Sequence, residues 1–442
     1  MQTNLGFQTE VGADGAPLAA RRYPPVVVIA LIIGLLPLAN GLLFRTYYFP
    51  FRPAVLNPLF ELEFLYLFAE FCLILWARAR GMAFKTEFLK LNQLTRYALL
   101  AFLSLFWISS VAFAPAPIYS AIRAFYWLVH IGCAFALGYL ITAVRPVQLQ
   151  RSVEIVAAGF VAISVVLGIH FYFAPFSHHA VEKGFDWTSI APGYLSIRQF
   201  GMVSGFVLTA WIATILSGKK VGGSALGAFA VTAILFGIMF WTGTRSAMLA
   251  VAVAIPTVVI FGRKLPPKFA IVSVMFAAVI GAALSTIWIP PGGSYGILTP
   301  SKFAIVGSPD ISSGRLDLWR YGLEMLRESP IFGWGEGSYF QLLAMAGKGF
   351  HLQPHNFVIQ FLMSWGILAG GIALIMMAKA LLRLHLCLHR AYLMMIPLAA
   401  LDSILVMAML DGALFTLRTI LPAIFFWILA EKISADADTA PA

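Results

Sequence analysis

Apolar runs of about 20 residues, the length that spans a bilayer core as a helix, recur along this chain between short polar clusters. They predict about twelve helical spans, at 25–44, 56–76, 97–113, 118–144, 153–173, 199–216, 223–241, 246–261, 269–289, 355–381, 391–410 and 413–430. The eighth is short and contains Pro256, and only Asp411 and Gly412 part the last two. Backbone groups in a membrane must be satisfied within the segment or by closure of a barrel, and runs this long and continuous suit helices. The expected fold class is therefore an all-α polytopic membrane protein with about twelve transmembrane helices and a large loop outside the membrane that carries amphipathic helices. No internal repeat is evident.

Two connections are longer than the rest, at 174–198 and 290–354, and loops of such length usually carry function. In the second, Leu316, Trp319, Leu323 and Leu326 have helical spacing over 314–327. Ser312 or Ser313 is placed to cap this helix, and Pro330 lies beyond its end. Such a segment should lie on the membrane surface or on the bundle. Gly333-Trp334-Gly335-Glu336-Gly337 then forms a tight turn, which lacks the Lys-Ser/Thr pair and the strand of a phosphate-binding P-loop.

Composition agrees: of 442 residues 60% are hydrophobic and 11% charged, which excludes a water-soluble fold. The 30 Lys and Arg against 19 Asp and Glu give a net charge of +11. With the N-terminus inside, every inner loop is basic (Arg21 and Arg22, Lys219 and Lys220, Arg263, Lys264 and Lys268 among them), so orientation and anionic lipid account for the charge without nucleic acid. The chain then divides into a cytoplasmic tail at 1–24, spans one to nine at 25–289, a periplasmic loop at 290–354, spans ten to twelve at 355–430 and a cytoplasmic tail at 431–442. Arg21-Arg22 is not followed by a small-residue cleavage site, so the first span reads as an uncleaved anchor. Cys72, Cys133 and Cys387 lie in or beside apolar spans and read as packing residues rather than disulfide or metal ligands.

Polar residues gather where spans meet the outer surface. Arg198 opens the sixth span, Arg245 the eighth and His355 the tenth, and Arg315 begins the amphipathic segment. Arg123 and Arg418 lie deeper, in the outer halves of the fourth and twelfth spans, and Asp411 caps the last hairpin. Each has a plain alternative: snorkelling anchors for Arg198 and Arg245, and a structural pair of Arg418 with Asp411 or Asp402. His130 and His170 read as hydrogen-bonded core residues, and His385 and His389 as part of a basic face towards anionic lipid. His351 and His355 have the spacing of a metal pair, but Pro354 interrupts the helix that would present them together. Taken jointly, several guanidinium groups suit a multiply charged phosphate, which they bind in a fork, and a neutral imidazole nearby can take a proton. Outside the inner membrane, where nucleotide triphosphates are lacking, an activated anionic substrate points to a polyprenyl pyrophosphate.

At these residues the chain resembles the bacterial O-antigen ligase and O-antigen polymerase superfamily. The resemblance rests on Thr242-Gly243-Thr244-Arg245-Ser246-Ala247, Ser313-Gly314-Arg315-Leu316-Asp317-Leu318-Trp319, Pro330-Ile331-Phe332-Gly333-Trp334-Gly335-Glu336-Gly337 and Pro354-His355-Asn356-Phe357, followed by Gly366-Ile367-Leu368-Ala369-Gly370-Gly371. It covers 198–371, and the first five spans match only as apolar helices. It implies a multi-pass glycosyltransferase of the cell inner membrane, with its active site facing the periplasm and without metal or other cofactor. Such an enzyme moves a finished glycan from undecaprenyl pyrophosphate onto lipid A–core oligosaccharide in the ligase branch, or onto another lipid-linked repeat in the polymerase branch. Family arginines that engage pyrophosphate map onto Arg245 and Arg315, with Arg198 a further candidate, and the family histidine onto His355. The expected catalytic set is His355, Arg245 and Arg315, and Arg123 and Arg418 complete the candidate pyrophosphate-binding set. A compact loop favours the ligase branch. A polymerase, a protein O-oligosaccharyltransferase and a transporter or flippase of an anionic lipid-linked substrate are the alternatives.

The charge asymmetry makes a direct prediction: cysteine-accessibility mapping should place both termini in the cytoplasm and 290–354 in the periplasm, and labelling of that loop from the inside would reverse the site assignment.

Overall fold

The computed structural model describes residues 24–43, 64–173, 197–287, 314–347, 351 and 353–439. Every secondary-structure element among them is helical. In chain order these are α1 (Pro25–Leu43), α2 (Phe64–Ala79), α3 (Phe84–Lys90), α4 (Gln93–Ile108), α5 (Pro117–Leu140), α6 (Pro146–Phe173), α7 (Ile197–Leu216) and α8 (Ala225–Thr242). There follow α9 (Arg245–Gly262), α10 (Lys268–Leu284), α11 (Arg315–Glu328), α12 (Ser338–Met345), α13 (Phe357–Cys387), α14 (Met395–Asp411) and α15 (Leu417–Thr439).

Each of the twelve predicted spans has a helix in its place. Eight helical stretches are long and apolar enough to cross a membrane, and α1 and α10 supply shorter apolar ones, so the protein is a polytopic all-α membrane protein. The part of the second predicted span before Phe64 lies outside the described residues. Pro256 is accommodated within α9. The last hairpin turns at Gly412 (φ 68°) through a 3-10 turn, Ala413–Phe415, so the twelfth helix proper starts at Leu417.

The centre of the bundle is α7, whose most apolar stretch is 89% buried, packed by α6, α8, α9 and α14. Its residues from Phe200 to Thr214 are buried on every side, as in a helix enclosed by others, and most of them are apolar. Towards the outside the polarity is that of a lipid-facing surface: Phe269, Val272, Met275, Phe276 and Val279 of α10 are exposed, whereas Ala270, Ala277 and Gly281 are buried. Small residues let helices approach closely. A methyl group at Gly159 of α6 would overlap the carbonyl of Gly34 in α1.

The element that organises the site is a break in α13. Gly366 (φ 70°, ψ 175°) leaves helical geometry in the middle of that helix. The turn after α11 inserts into the gap and satisfies the freed backbone groups: Trp334 N–H donates to Met363 O (3.1 Å), Gly335 N–H to Ser364 O (2.7 Å), and Ile367 N–H to Pro330 O (2.8 Å). Ser109 Oγ, at the head of the π-helical turn Ser109–Phe113 that extends α4, adds a bond to Ser364 O (2.8 Å). Irregular backbone deep in a membrane protein is tolerated only where protein supplies such partners.

The structure sharpens one expectation from the sequence and corrects another. The 314–327 segment is helical and packs on the bundle, one of its two expected placements, through Tyr321, Gly322 and Met325, while Leu316 and Leu323 of the apolar stripe are not covered by protein. Tyr321 and Met325 find partners in Tyr339, Leu342 and Leu343 of α12, which periodicity within one helix cannot reveal. Second, His355 does not open the tenth helix. It precedes it with φ 57°, and Asn356 caps α13 by accepting from Val358 N–H (3.0 Å) and Ile359 N–H (3.1 Å). Ser312 and Ser313, the expected caps of α11, lie outside the described residues.

A side chain at Gly366 would meet the carbonyl of Ile331, whereas one at Gly371, within the same helix, meets nothing within 4 Å. Gly366→Ala should therefore cost about 1–3 kcal/mol or more through strain and undocking of the turn, and Gly371→Ala should be neutral or slightly stabilising. Thermal unfolding of both variants in detergent checks this, and equal melting of the two would contradict the docking.

Candidate functional site

Helices α7, α9, α13 and α15 begin, and α8 and α14 end, at the same end of the bundle, and α11 begins against it. Their termini bring together residues far apart in sequence. Asp411, the last residue of α14 and 3% exposed, is the hub: Arg315 Nη2 donates to its Oδ1 (2.5 Å) and Ser246 Oγ to its Oδ2. Ser246 is the second residue of α9, so this bond fixes the start of the helix that opens with Arg245, itself exposed. The start of α9 also lies against α7, where a side chain at Gly201 would overlap Thr244.

His355 lies over the same hub. Its ring hydrogen-bonds the backbone of Asp411, and its Nδ1 is buried without a hydrogen-bond partner. Nδ1 is therefore a ring nitrogen that no protein group engages. Burial pushes the imidazole below its ordinary pKa of 6.5, helped by the charges of Arg315 and Arg198 and opposed by Asp411. At neutral pH it is an uncharged base. The left-handed backbone at His355, rare for a side-chain-bearing residue, is what turns the ring aside from the helix axis onto the hairpin. His351, exposed, has its ring 6.3 Å from that of His355, centroid to centroid.

Of the candidate arginines, Arg315 touches the hub, Arg198 is close enough to act on His355, and Arg245 adjoins Ser246 in sequence. Arg418, 2% exposed, comes to the same end of the bundle: its Nη1 donates to Gln199 Oε1 (2.9 Å), next in sequence to Arg198. Arg123 stands elsewhere, over the ring of Tyr126 and beside Glu336. His130 bonds Glu70 in the core (2.5 Å), and the side chain of His170 lies outside the described residues. His385 is a correction, because its Nε2 bonds Asp402 Oδ2 (2.9 Å) within the protein instead of facing lipid.

An apolar cleft of about 480 Å³ opens between α6, α7, α8 and α10, lined by residues including Leu167, Phe200, Ile238, Trp241 and Leu284. Phe200 lies two residues from Arg198, and Trp241 four from Arg245, so the cleft ends near the cationic side chains.

Sequence reasoning missed the hub. Asp411 was legible as the cap of a hairpin and as a partner for Arg418, which in the structure bonds Gln199, and Ser246 only as the neighbour of an arginine. The one available signal was an acidic residue at an apolar hairpin tip, on a face where the other charges are cationic. The arrangement suits anion binding: N-termini of α7, α9, α13 and α15 point their positive dipole ends to this face together with Arg198, Arg245 and Arg315.

Compared with known families, residues 230–375 match the model of the O-antigen ligase family. The match spans the start of α9, the α11 and turn segment, His355 and the broken half of α13, and supports the O-antigen ligase and polymerase superfamily as the chain's place. No curated protein and no solved structure matches the chain.

The charge balance around His355 gives a test with two signs. In ¹³C-histidine NMR of the detergent-solubilised protein, His355 should titrate below 6.5. Asp411→Asn, which removes a charge that raises the pKa, should lower the midpoint further, and Arg198→Gln should raise it. Shifts in the opposite senses would show that these groups do not face the ring.

Proposed function

Residues 230–375 match the O-antigen ligase family, and on this we propose that the protein is a member of it and a glycosyltransferase of the inner membrane. In this reading it moves a glycan from undecaprenyl pyrophosphate to lipid A–core oligosaccharide on the periplasmic side. The observation that carries the reading is the unengaged Nδ1 of His355, set beside the Arg315–Asp411 pair and within the field of Arg198. Acid–base chemistry and anion recognition thus meet at one face.

The acceptor hydroxyl gives its proton to His355 Nδ1 as its oxygen attacks the anomeric carbon. The bond from that carbon to the pyrophosphate oxygen breaks in the same displacement, and undecaprenyl pyrophosphate leaves with the electron pair. Arg315, Arg245 and Arg198 hold the pyrophosphate and stabilise its charge as it separates. Asp411 keeps Arg315 aimed at this face, and its carboxylate is what an arriving phosphate must compete with. Arg418, through Gln199, braces the start of α7 that carries Arg198. The apolar cleft between α6, α7, α8 and α10 receives the prenyl tail. A single displacement inverts the anomeric configuration, and retention in the product, seen by NMR, would exclude it.

His355→Ala should reduce transfer by on the order of 10²–10⁴-fold at equal membrane abundance. Arg245→Lys and Arg315→Lys keep the charge but lose the paired donors, so both should impair donor binding and transfer, whereas an anchor at Arg245 would tolerate Lys. The assay is label transfer in proteoliposomes without a gradient, offered lipid A–core or a second lipid-linked glycan as acceptor. Transfer only to the second acceptor would make the chain a polymerase, and movement of donor without transfer would make it a transporter.

A further inference from the structure

Arg315 stands at the head of a rigid block that extends well beyond the site. Within it, Trp334 Nε1 donates to Met325 O (2.8 Å), Tyr339 OH to Leu318 O (3.0 Å), and Tyr321 OH to Leu342 O (2.9 Å), so α11, the glycine-rich turn and α12 form one body. The backbone bonds to the break in α13 attach that body to the membrane helices. One acidic side chain of the turn does so as well.

Glu336 is 1% exposed, and its Oε2 accepts from the indole Nε1 of Trp365 at 2.7 Å. Trp127 donates to the same carboxylate, and Arg123 lies close enough to act on it. Its backbone is gripped too: Ser120 Oγ donates to Glu336 O (2.6 Å), and Glu336 N–H donates to Ser110 Oγ (3.3 Å). The donors are themselves held still. Trp365 stacks on Phe361 (centroids 4.0 Å apart) and meets Phe106 and Trp127 edge-on (5.2 Å each). Burying a carboxyl among aromatic rings carries a desolvation cost that an apolar residue would avoid, so packing alone does not account for it.

We propose that Glu336 is a positioning residue: held by Trp365 and Trp127, it sets the angle of the α11–α12 block on the bundle and so places Arg315 against Asp411. The proposal rests on the reading of Arg315 as a donor-binding group. Leverage is the physical reason. Arg315 is the first of the fourteen residues of α11 and the turn region follows the last, so a helix about 21 Å long at 1.5 Å per residue lies between them. A tilt of about 5° at the turn therefore moves the Arg315 end by about 2 Å, and a misplacement of about 1 Å can cost on the order of 10²-fold in rate.

The test joins a distance to an activity. Spin labels at Leu316→Cys in α11 and Ile169→Cys in α6, both exposed positions, are introduced with Cys72→Ala, Cys133→Ala and Cys387→Ala, and their separation is read by pulsed EPR. Glu336→Ala should shift or broaden the distance and lower transfer on the order of 10²-fold. Trp365→Phe, which keeps an aromatic ring but lacks the N–H, should act in the same direction, and adding it to Glu336→Ala should bring little further loss. Should Glu336→Ala fail to insert, Trp365→Phe decides the matter alone. An unchanged distance, a changed distance with full transfer, or fully additive losses would each overturn the proposal. Arg315→Ala is the control: it should lose transfer, and full transfer in that variant would refute the reading of the site while the EPR distances of Glu336→Ala and Trp365→Phe still judge the latch.

Discussion

A backbone that leaves helical geometry inside a membrane protein must find hydrogen-bond partners in protein, and the interruption of α13 at Gly366 is where this chain meets that requirement. The partners are the amides and carbonyls of 330–335, so an extramembrane segment becomes part of the membrane core. From that docking follow the packing of α11 and α12 as one block, the burial of Glu336 and Trp365, and the placing of Arg315 at the mouth of the bundle. Glycine is needed on both sides of the contact: a side chain at Gly333 would press on the amide of Gly366, and one at Gly366 on the carbonyl of Ile331.

The second organising interaction is electrostatic. One buried carboxylate, Asp411, receives Arg315 and Ser246 and lies under His355. A buried ion pair repays its desolvation poorly as a source of stability, so its worth here lies in geometry: it ties α9, α11 and α14 to one point from which cationic groups face outward. The same charge tempers the field of Arg315 and Arg198 at the imidazole, which burial nevertheless keeps neutral. In the proposed reaction an anionic donor meets arginines already oriented by an anion, and a base that needs no deprotonation at neutral pH.

The apolar pattern along the chain was enough to foretell twelve helices and their approximate limits, because a membrane span is read from the composition of one contiguous segment. Candidate chemistry was legible as residue types in local motifs: Arg245, Arg315 and His355 stand at or just before helix starts, within the stretch 230–375 that matches the family. Residues whose importance arises from a remote partner were not legible. Asp411 and Arg315 are 96 positions apart, Ser246 and Asp411 165, and Glu336 and Ser110 226. Which side of α11 the protein covers was not legible for the same cause, since its partner surface belongs to α12 and α13.

What the sequence by itself determined is therefore the class of fold, the places of the long apolar helices and the kinds of side chain available at one end of the bundle. Each depends on local hydrophobicity and side-chain chemistry alone. Which cation meets which anion, that Arg123 belongs with Glu336 while Arg315 belongs with Asp411, and that a turn outside the spans completes a broken helix within them, only the tertiary structure decided. Helices in a membrane associate through close packing and a few polar contacts, with little hydrophobic drive to distinguish one apolar face from another, so the pairings rest on three-dimensional fit that a one-dimensional pattern does not encode.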